Sequence, residues 1–398
     1  LYATLSLTSF TTTMQQGSIL SFFKKPKASR PENSSGHPYR PRTSNSRGAS
    51  KSRGGSSTGH RRAPDRRRNM DLKKIADETK AALPIVLNQL SDFDAMDSSV
   101  YDLEDLAILD AKYCPGFSLS DSDAKAGTNG TRIKVVDMDT FDAAIDLAPD
   151  YKASTHMSLF DPSTSGPESQ QQDNDEAMKD ASQANDTPDA TAERVVKPVA
   201  VLNLASERSA GGGWQKGALA QEEALCYRSS LYLSLHQSYY PLLSLSAIYS
   251  PSVLILRDAM SRGHSLLIPA QQPADLPVTS IISVAALRYP KLTDDKMGYK
   301  NEGQRAETKR KIRLTLRVAA IKGHTKLVLG ALGCGVFGNP PKEVADCFLE
   351  VFREKEFQGG WWKEVVFAIM DNVKGDQGGK DGVGNYGEFY RVLDGQIV

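Results

Sequence analysis

Glu222 and Glu223 stand side by side, directly after Gln221, which itself follows three consecutive glycines, Gly211, Gly212 and Gly213, after a spacer of seven residues. Neighbours on a helix leave its axis about 100° apart. The two carboxyls therefore cannot do the same job: one can face a reacting bond while the other orients a sugar hydroxyl. A like charge and partial burial both raise a carboxyl pKa, which keeps an acid protonated near neutrality. Three glycines let the backbone approach a ligand closely with φ > 0, and consecutive amides make a concave donor array suited to a diphosphate. A second cluster, LVLGALGCGVFGNPP (327–341), sets Gly333, Gly335 and Gly338 around Val336 and Phe337. Two such loops suggest two sides of one phosphate clamp. Phe337 is a candidate ring-positioning residue, or else a loop anchor packed into the core. Taken singly, the acidic pair also fits a solvated helix start favoured by the dipole, and the glycines fit a simple turn. Their coincidence favours a site.

These residues need a frame. PVAVLNLAS (198–206) is an apolar run bounded by breakers, the pattern of a buried strand, with Asn203 towards its end. Residues 218–235 read as a helix that presents Gln221–Glu223 in its first turns. VLILR (253–257), VTSIISV (278–284), KLVLGAL (326–332) and VVFAIMD (365–371) read as further strands. RIKVVDM (132–138) reads as a strand followed by a helix over 140–148. Residues 306–323 form a basic amphipathic helix. Another covers 340–354, with prolines at its start where missing amides cost least. Leu72, Ile75, Thr79, Leu83, Val86 and Leu90 recur at steps of three and four, a helical stripe that Pro84 is expected to divide in two. Strands alternating with helices predict an α/β fold with a mostly parallel or mixed sheet covered on both faces. Such sheets bind ligands beyond the carboxyl ends of their strands.

The 398 residues carry 49 Lys and Arg against 48 Asp and Glu, and this balance hides blocks of charge. Lys24–Arg68 holds 14 bases and two acids. Asp92–Asp110 holds seven acids and no base, and is open between a polar helix and a loop. Glu168–Glu193 holds eight acids and one lysine. Residues 1–65 read as a disordered basic tail and 151–197 as a disordered acidic insertion, since such segments bury too little to offset their ordering entropy. Between them, 66–150 should supply accessory helices and a first strand, and 198–398 the core. No run approaches the ~20 apolar residues needed to cross a bilayer. Four scattered cysteines and six scattered histidines, without CxxC or HExxH spacing, give no metal or disulfide pattern. The expectation is a monomer without membrane attachment.

The glycine triplet followed by QEE resembles the microbial-type (bacterial and fungal) poly(ADP-ribose) glycohydrolases, a branch of the macrodomain fold. The likeness continues through ALAQEEALCYRSSLY, YSPSVLILRD (249–258) and LGALGCGVFGNPPKEVADCF (329–348), and KKIADET (73–79) resembles that family's accessory N-terminal helix. The resemblance implies a three-layer α/β/α macrodomain-like fold with a mixed central sheet and an N-terminal accessory helical region. It implies that Glu223 is catalytic and that Glu222 holds ribose hydroxyls. It implies that Gly211–Gly213 and Gly333–Gly338, with Val336, enclose the diphosphate, and that Phe337 fixes the terminal ribose. Gln221 joins the substrate-binding set, and Asn203 either meets a ribose hydroxyl or caps the loop. No metal or nucleotide cofactor is implied. The competing expectations are a module that binds ADP-ribose without cleaving it and a hydrolase of single ADP-ribose units on proteins. The insertion, and Ser209–Ala210 where the family often has proline, depart from the compact pattern.

The tail carries its own signal. Gln16, Ile19, Phe22 and Phe23 in QGSILSFF fit the short motif with which replication and repair proteins bind the sliding clamp. One tight turn would gather Ile19, Phe22 and Phe23 into an apolar plug, with Gln16 in a polar pocket and Lys24 and Lys25 steering towards an acidic surface. Met14, just ahead, is a candidate start. RRAPDRRR (61–68) with KKPK (24–27) reads as a nuclear import signal. The acid-free, Ser/Thr-rich stretch 1–31 offers the mitochondrial alternative.

Overall fold

The computed structural model describes residues 66–159 and 196–398, all of which fall in one compact unit. The tail motif at 16–23, the basic cluster up to 65 and the body of the acidic insertion lie outside the described residues. In chain order come α1 (Arg66–Leu87), β1 (Ser99–Asp102), β2 (Ile133–Val136), α2 (Thr140–Leu147) and α3 (Ala153–Ser158). After the insertion follow β3 (Ala200–Ala205), α4 (Gln221–Arg228), α5 (Leu231–Ser234), β4 (Ser246–Leu254) and β5 (Val278–Ala285). The chain ends with α6 (Glu302–Ile321), β6 (Lys326–Leu329), α7 (Pro341–Phe352), β7 (Glu364–Ala368) and α8 (Asn385–Leu393).

The seven strands form one sheet in the order β1-β4-β5-β3-β6-β7-β2. Pairing is parallel from β5 to β2 and antiparallel on both sides of β4, so β4 alone runs against the rest. Strand alternation divides the core between two faces. Ala200, Leu202, Ile282, Leu327 and Phe367 pack with Ile312 and Leu316 of α6, Phe348 of α7 and Phe389 of α8. Val199, Val201, Ile281, Val328 and Val366 pack with Leu72 and Ala76 of α1, Phe141 of α2, and Leu225 and Tyr227 of α4. This is the expected mixed three-layer arrangement. Among the described residues no helix is long and apolar enough to cross a membrane.

Several expectations need correction. Pro84 does not divide α1, which runs through it to Leu87. The proline stands in the last turn, where only the amide bond back towards Lys80 is lost. The acidic stretch 92–110 is neither helix nor simple loop, because it contains β1, a short polar edge strand. Short charged edges discourage pairing with other chains. The expected helix over 218–235 breaks at Ser229 and Ser230: the Ser230 backbone and hydroxyl bond to Leu254 at the end of β4, and Ser229 bridges to Ile255 just beyond it. The strand expected at 253–257 lies mostly upstream, and its register shifts between Ser250 and Val253. Pro251, which has no amide to donate, sits inside that irregularity. The insertion starts later than residue 151, since Ala153 and His156 of α3 are buried. α8 was not anticipated.

The bases of α6 are matched within the fold. Arg305, Lys309, Arg313 and Arg317, four residues apart on one face, pair with Glu343 and Glu350, Glu350 and Glu354, Glu354, and Glu356 respectively.

Candidate active site

β3 and β6 are neighbours in the sheet, so the glycine loops that leave their carboxyl ends emerge side by side. β3 pairs with β6 only at Ala200 and Val201. Beyond that point the sheet opens, and Gln221 fills the gap. Its side-chain oxygen accepts from the Leu204 amide at 2.9 Å, and its side-chain nitrogen donates to the Leu202 carbonyl at 2.8 Å. Gln221 thus completes the strand's hydrogen bonding and keys the start of α4 to β3. Both ends of its amide are committed to the backbone.

With α4 fixed in this way, its next two side chains diverge. Glu222 turns inward and is 3% exposed. Its Oε2 accepts from the Ser206 amide at 2.8 Å, and its Oε1 lies 3.4 Å from the Asn203 amide nitrogen. Burial pushes its carboxyl up to about 8. The Ser206 amide opposes that shift, and the charge of Glu223 adds to it. Glu223 is the less buried of the two and turns towards the glycines, where its Oε1 accepts from the Gly213 amide at 2.9 Å. Asn203 lies in mid-strand, fully buried behind Glu222 and 3.0 Å from the Ser283 hydroxyl. Its Oδ1 has no hydrogen-bond partner among the described residues.

The triplet is what allows both carboxylates to lie under the loop. Gly211 and Gly212 have φ of 67° and 61°, and a Cβ on Gly212 would collide with Glu223 Oε1 and come within 2.9 Å of Glu222 Oε2. After the glycines a short 3-10 turn, Trp214–Lys216, buries the Trp214 ring. The Tyr227 hydroxyl lies 2.7 Å from both the Trp214 and Ala218 carbonyls and straps this segment to α4.

The second loop has a different anchor. Gly333, at φ 75°, leaves room for the Asn339 side chain, which donates to Leu287 O at 2.7 Å and Gly333 O at 3.1 Å and accepts from Tyr299. Beyond it Gly335 and Gly338 face open space, Val336 is exposed, and Phe337 is half-buried. The Arg288 guanidinium lies 4.1 Å over the Phe337 ring centroid and also pairs with Glu207 at 2.5 Å. Phe337 is therefore not packed into the core. Sequence reasoning missed Glu207, Arg288 and Asn339. The available signals were a lone Arg just past a buried strand and an Asn closing a glycine run.

A mixed sheet between helical layers, with glycine loops at the carboxyl ends of its central strands, defines a macrodomain-like α/β protein. Residues 95–258 match the model of the microbial-type PARG catalytic domain, a span that includes the first glycine loop and the paired glutamates. No curated protein sequence matches the chain. Among solved structures, poly(ADP-ribose) glycohydrolase from Thermomonospora curvata is 26% identical, with 81% of this chain and 99% of that one covered and a TM-score of 0.54. The same enzyme bound to the inhibitor ADP-HPD, and a mutant with one glutamate changed to alanine, are each 25% identical over the same shares, with TM-scores of 0.53. The chain is homologous to the catalytic domain of microbial-type poly(ADP-ribose) glycohydrolases.

Proposed function

We propose that the chain hydrolyses the ribose–ribose O-glycosidic bonds of ADP-ribose polymers and releases ADP-ribose. The observation that carries this reading is the placement of Glu223 beside the Gly213 amide, in a pair whose inner member is buried. A module that only binds ADP-ribose needs the glycine loops but no such pair. In the reaction Glu223, the more accessible carboxyl, delivers a proton to the departing ribose oxygen as the bond from C1 breaks. Water then adds to C1 and passes its proton to the Glu223 carboxylate, which restores the acid. Glu222, uncharged near neutrality, can offer a hydrogen bond to a ribose hydroxyl as well as accept one. Gln221 and Asn203 act from behind, holding α4 and Glu222. The loops Gly211–Gly213 and Gly333–Gly338, with Val336, enclose the diphosphate, and Phe337 sets the terminal ribose.

Incubation with labelled polymer tests this. The native chain should release free ADP-ribose. Glu223→Gln should bind ADP-ribose yet lose ~100- to 10,000-fold in turnover, the usual weight of a general acid. Tight binding without release by the native chain would make it a reader, and native turnover in Glu223→Gln would remove that residue's role.

Nuclear residence and recruitment to a sliding clamp complete the proposal. They are supported by the basic clusters KKPK and RRAPDRRR and by the spacing of Gln16, Ile19, Phe22 and Phe23. A peptide spanning 14–27 should bind purified clamp with micromolar affinity in a calorimeter, and changing Phe22 and Phe23 to Ala should abolish the heat. Equal heats from both peptides would refute the motif.

A further inference from the structure

We propose that Arg288 is the positioning residue for Phe337, acting by tying the two glycine loops to each other. The proposal rests on the glycohydrolase reading above. Arg288 lies three residues beyond β5, the strand next to β3, and its guanidinium reaches both the loop after β3 and the loop after β6. Its guanidinium makes a two-pronged ion pair with Glu207, Nε to Oε1 at 2.5 Å and Nη2 to Oε2 at 2.8 Å. Glu207 belongs to the first loop, four residues before Gly211, and its own carbonyl is fixed by the Leu242 amide at 2.9 Å. Burial alone would raise the Glu207 carboxyl, but the guanidinium outweighs it and holds the group below its ordinary value. The other face of the contact is the Phe337 ring, 4.1 Å away.

Phe337 has little else to hold it. Its loop neighbours Gly335 and Gly338 have open space where side chains would be. Its carbonyl is held by the Tyr289 amide at 2.9 Å. Tyr289 adopts φ 51°, a left-handed conformation that costs a bulky residue about 1 kcal/mol or more. Tyr289 is 54% exposed, with its ring centroid 5.9 Å from the Arg288 guanidinium, so burial of the residue does not account for the strained turn. What the turn achieves is a grip on Phe337 from two sides, with the guanidinium on the ring and the amide on the backbone. A planar, forked cation is required for a carboxylate pair and a ring stack together, and lysine cannot supply both. Glu223 depends on the first loop and the ribose-setting ring on the second. Arg288 therefore fixes the spacing between proton donor and sugar.

The test is polymer hydrolysis kinetics and ADP-ribose binding for the native chain, Arg288→Ala, Arg288→Lys, Phe337→Ala and the Arg288→Ala/Phe337→Ala double variant. Glu207→Gln breaks the same tie from its other end and serves if Arg288→Ala folds poorly. Arg288→Ala should lower kcat roughly 10- to 100-fold, with KM and ADP-ribose affinity changed less than about 3-fold. Lysine should recover little, and the double variant should be no slower than Phe337→Ala alone. Unchanged kcat in Arg288→Ala, native turnover in Arg288→Lys, or multiplied losses in the double variant would overturn the role while leaving the glycohydrolase intact. Absence of ADP-ribose release by the native chain would overturn the glycohydrolase reading and this proposal with it.

Discussion

A single methyl group at position 212 would touch both carboxylates of the pair. The Gly212 backbone is left-handed as well, so Gly212→Ala combines strain of about 1 kcal/mol with displacement of Glu222 and Glu223. The expected result is a folded protein, with a small fall in thermal midpoint by calorimetry and a loss of polymer turnover of ~100-fold. Native turnover would mean that the pair tolerates a lifted loop. At this scale the sequence was informative about types and blind to partners. The order GGG, spacer, QEE marked Glu222 and Glu223, and the roughly 100° between helix neighbours implied that the two carboxyls differ, as they do in direction: Glu222 turns inward and Glu223 towards the glycines. Nothing in the string revealed that Gln221 serves the β3 backbone, or that Asn203 lies behind Glu222 rather than at the strand's tip. Those facts depend on where β6 stops pairing.

Among the elements, α1 is the buttress of the first glycine loop. Its first turn presses the Asn69 backbone against Gly217, where any Cβ would overlap the Asn69 carbonyl. Further along, the Thr79 hydroxyl donates to the Tyr227 carbonyl of α4 at 2.8 Å. Gly217→Ala should destabilise the fold by about 1–3 kcal/mol and speed amide hydrogen exchange in the first turns of α1 and in 211–217. Exchange unchanged at both places would disconnect helix from loop. The apolar strands β3, β5, β6 and β7 were legible because they are buried on both faces. β1 was not, since an edge strand facing solvent carries the polar composition of a loop. α8 was hidden behind a run of glycines, although Tyr386, Phe389, Tyr390 and Leu393 have helical spacing.

The molecule as a whole has opposing responses to pH. Burial pushes His156, His264 and His324 down to about 4, with the charges of Arg257 and Arg228 adding at His264. The unfolded chain takes up those protons below 6.5, so stability rises as pH goes from about 4 to 6.5. Glu222 acts in the other direction. The folded protein keeps its proton to about 8 while the unfolded chain releases it near 4.5, so this group lowers stability as pH rises between those values. Three histidines outweigh one glutamate below 6.5; above it the glutamate dominates until about pH 8, where Lys311, pushed down to about 8 by burial, begins to act in the opposite sense. The thermal midpoint should therefore peak near pH 6.5 and decline towards pH 8. Glu222→Gln should remove that decline. A midpoint that climbs steadily to pH 8 in the native chain would contradict the burial of Glu222 as an acid.

The opening between β3 and β6 has a consequence for how a long, varied polymer could be gripped. The first jaw is stiff: Gln221 locks the carboxylates to the middle of the sheet, Tyr227 straps the turn that follows the glycines, and α1 backs it. The second jaw beyond Asn339 is bare glycine on either side of Val336 and Phe337, tethered by Arg288 and the Tyr289 amide. Adjustment to a guest would therefore come from the Phe337 side, while the Glu223 side stays still. Such a mouth bites against a fixed lower tooth.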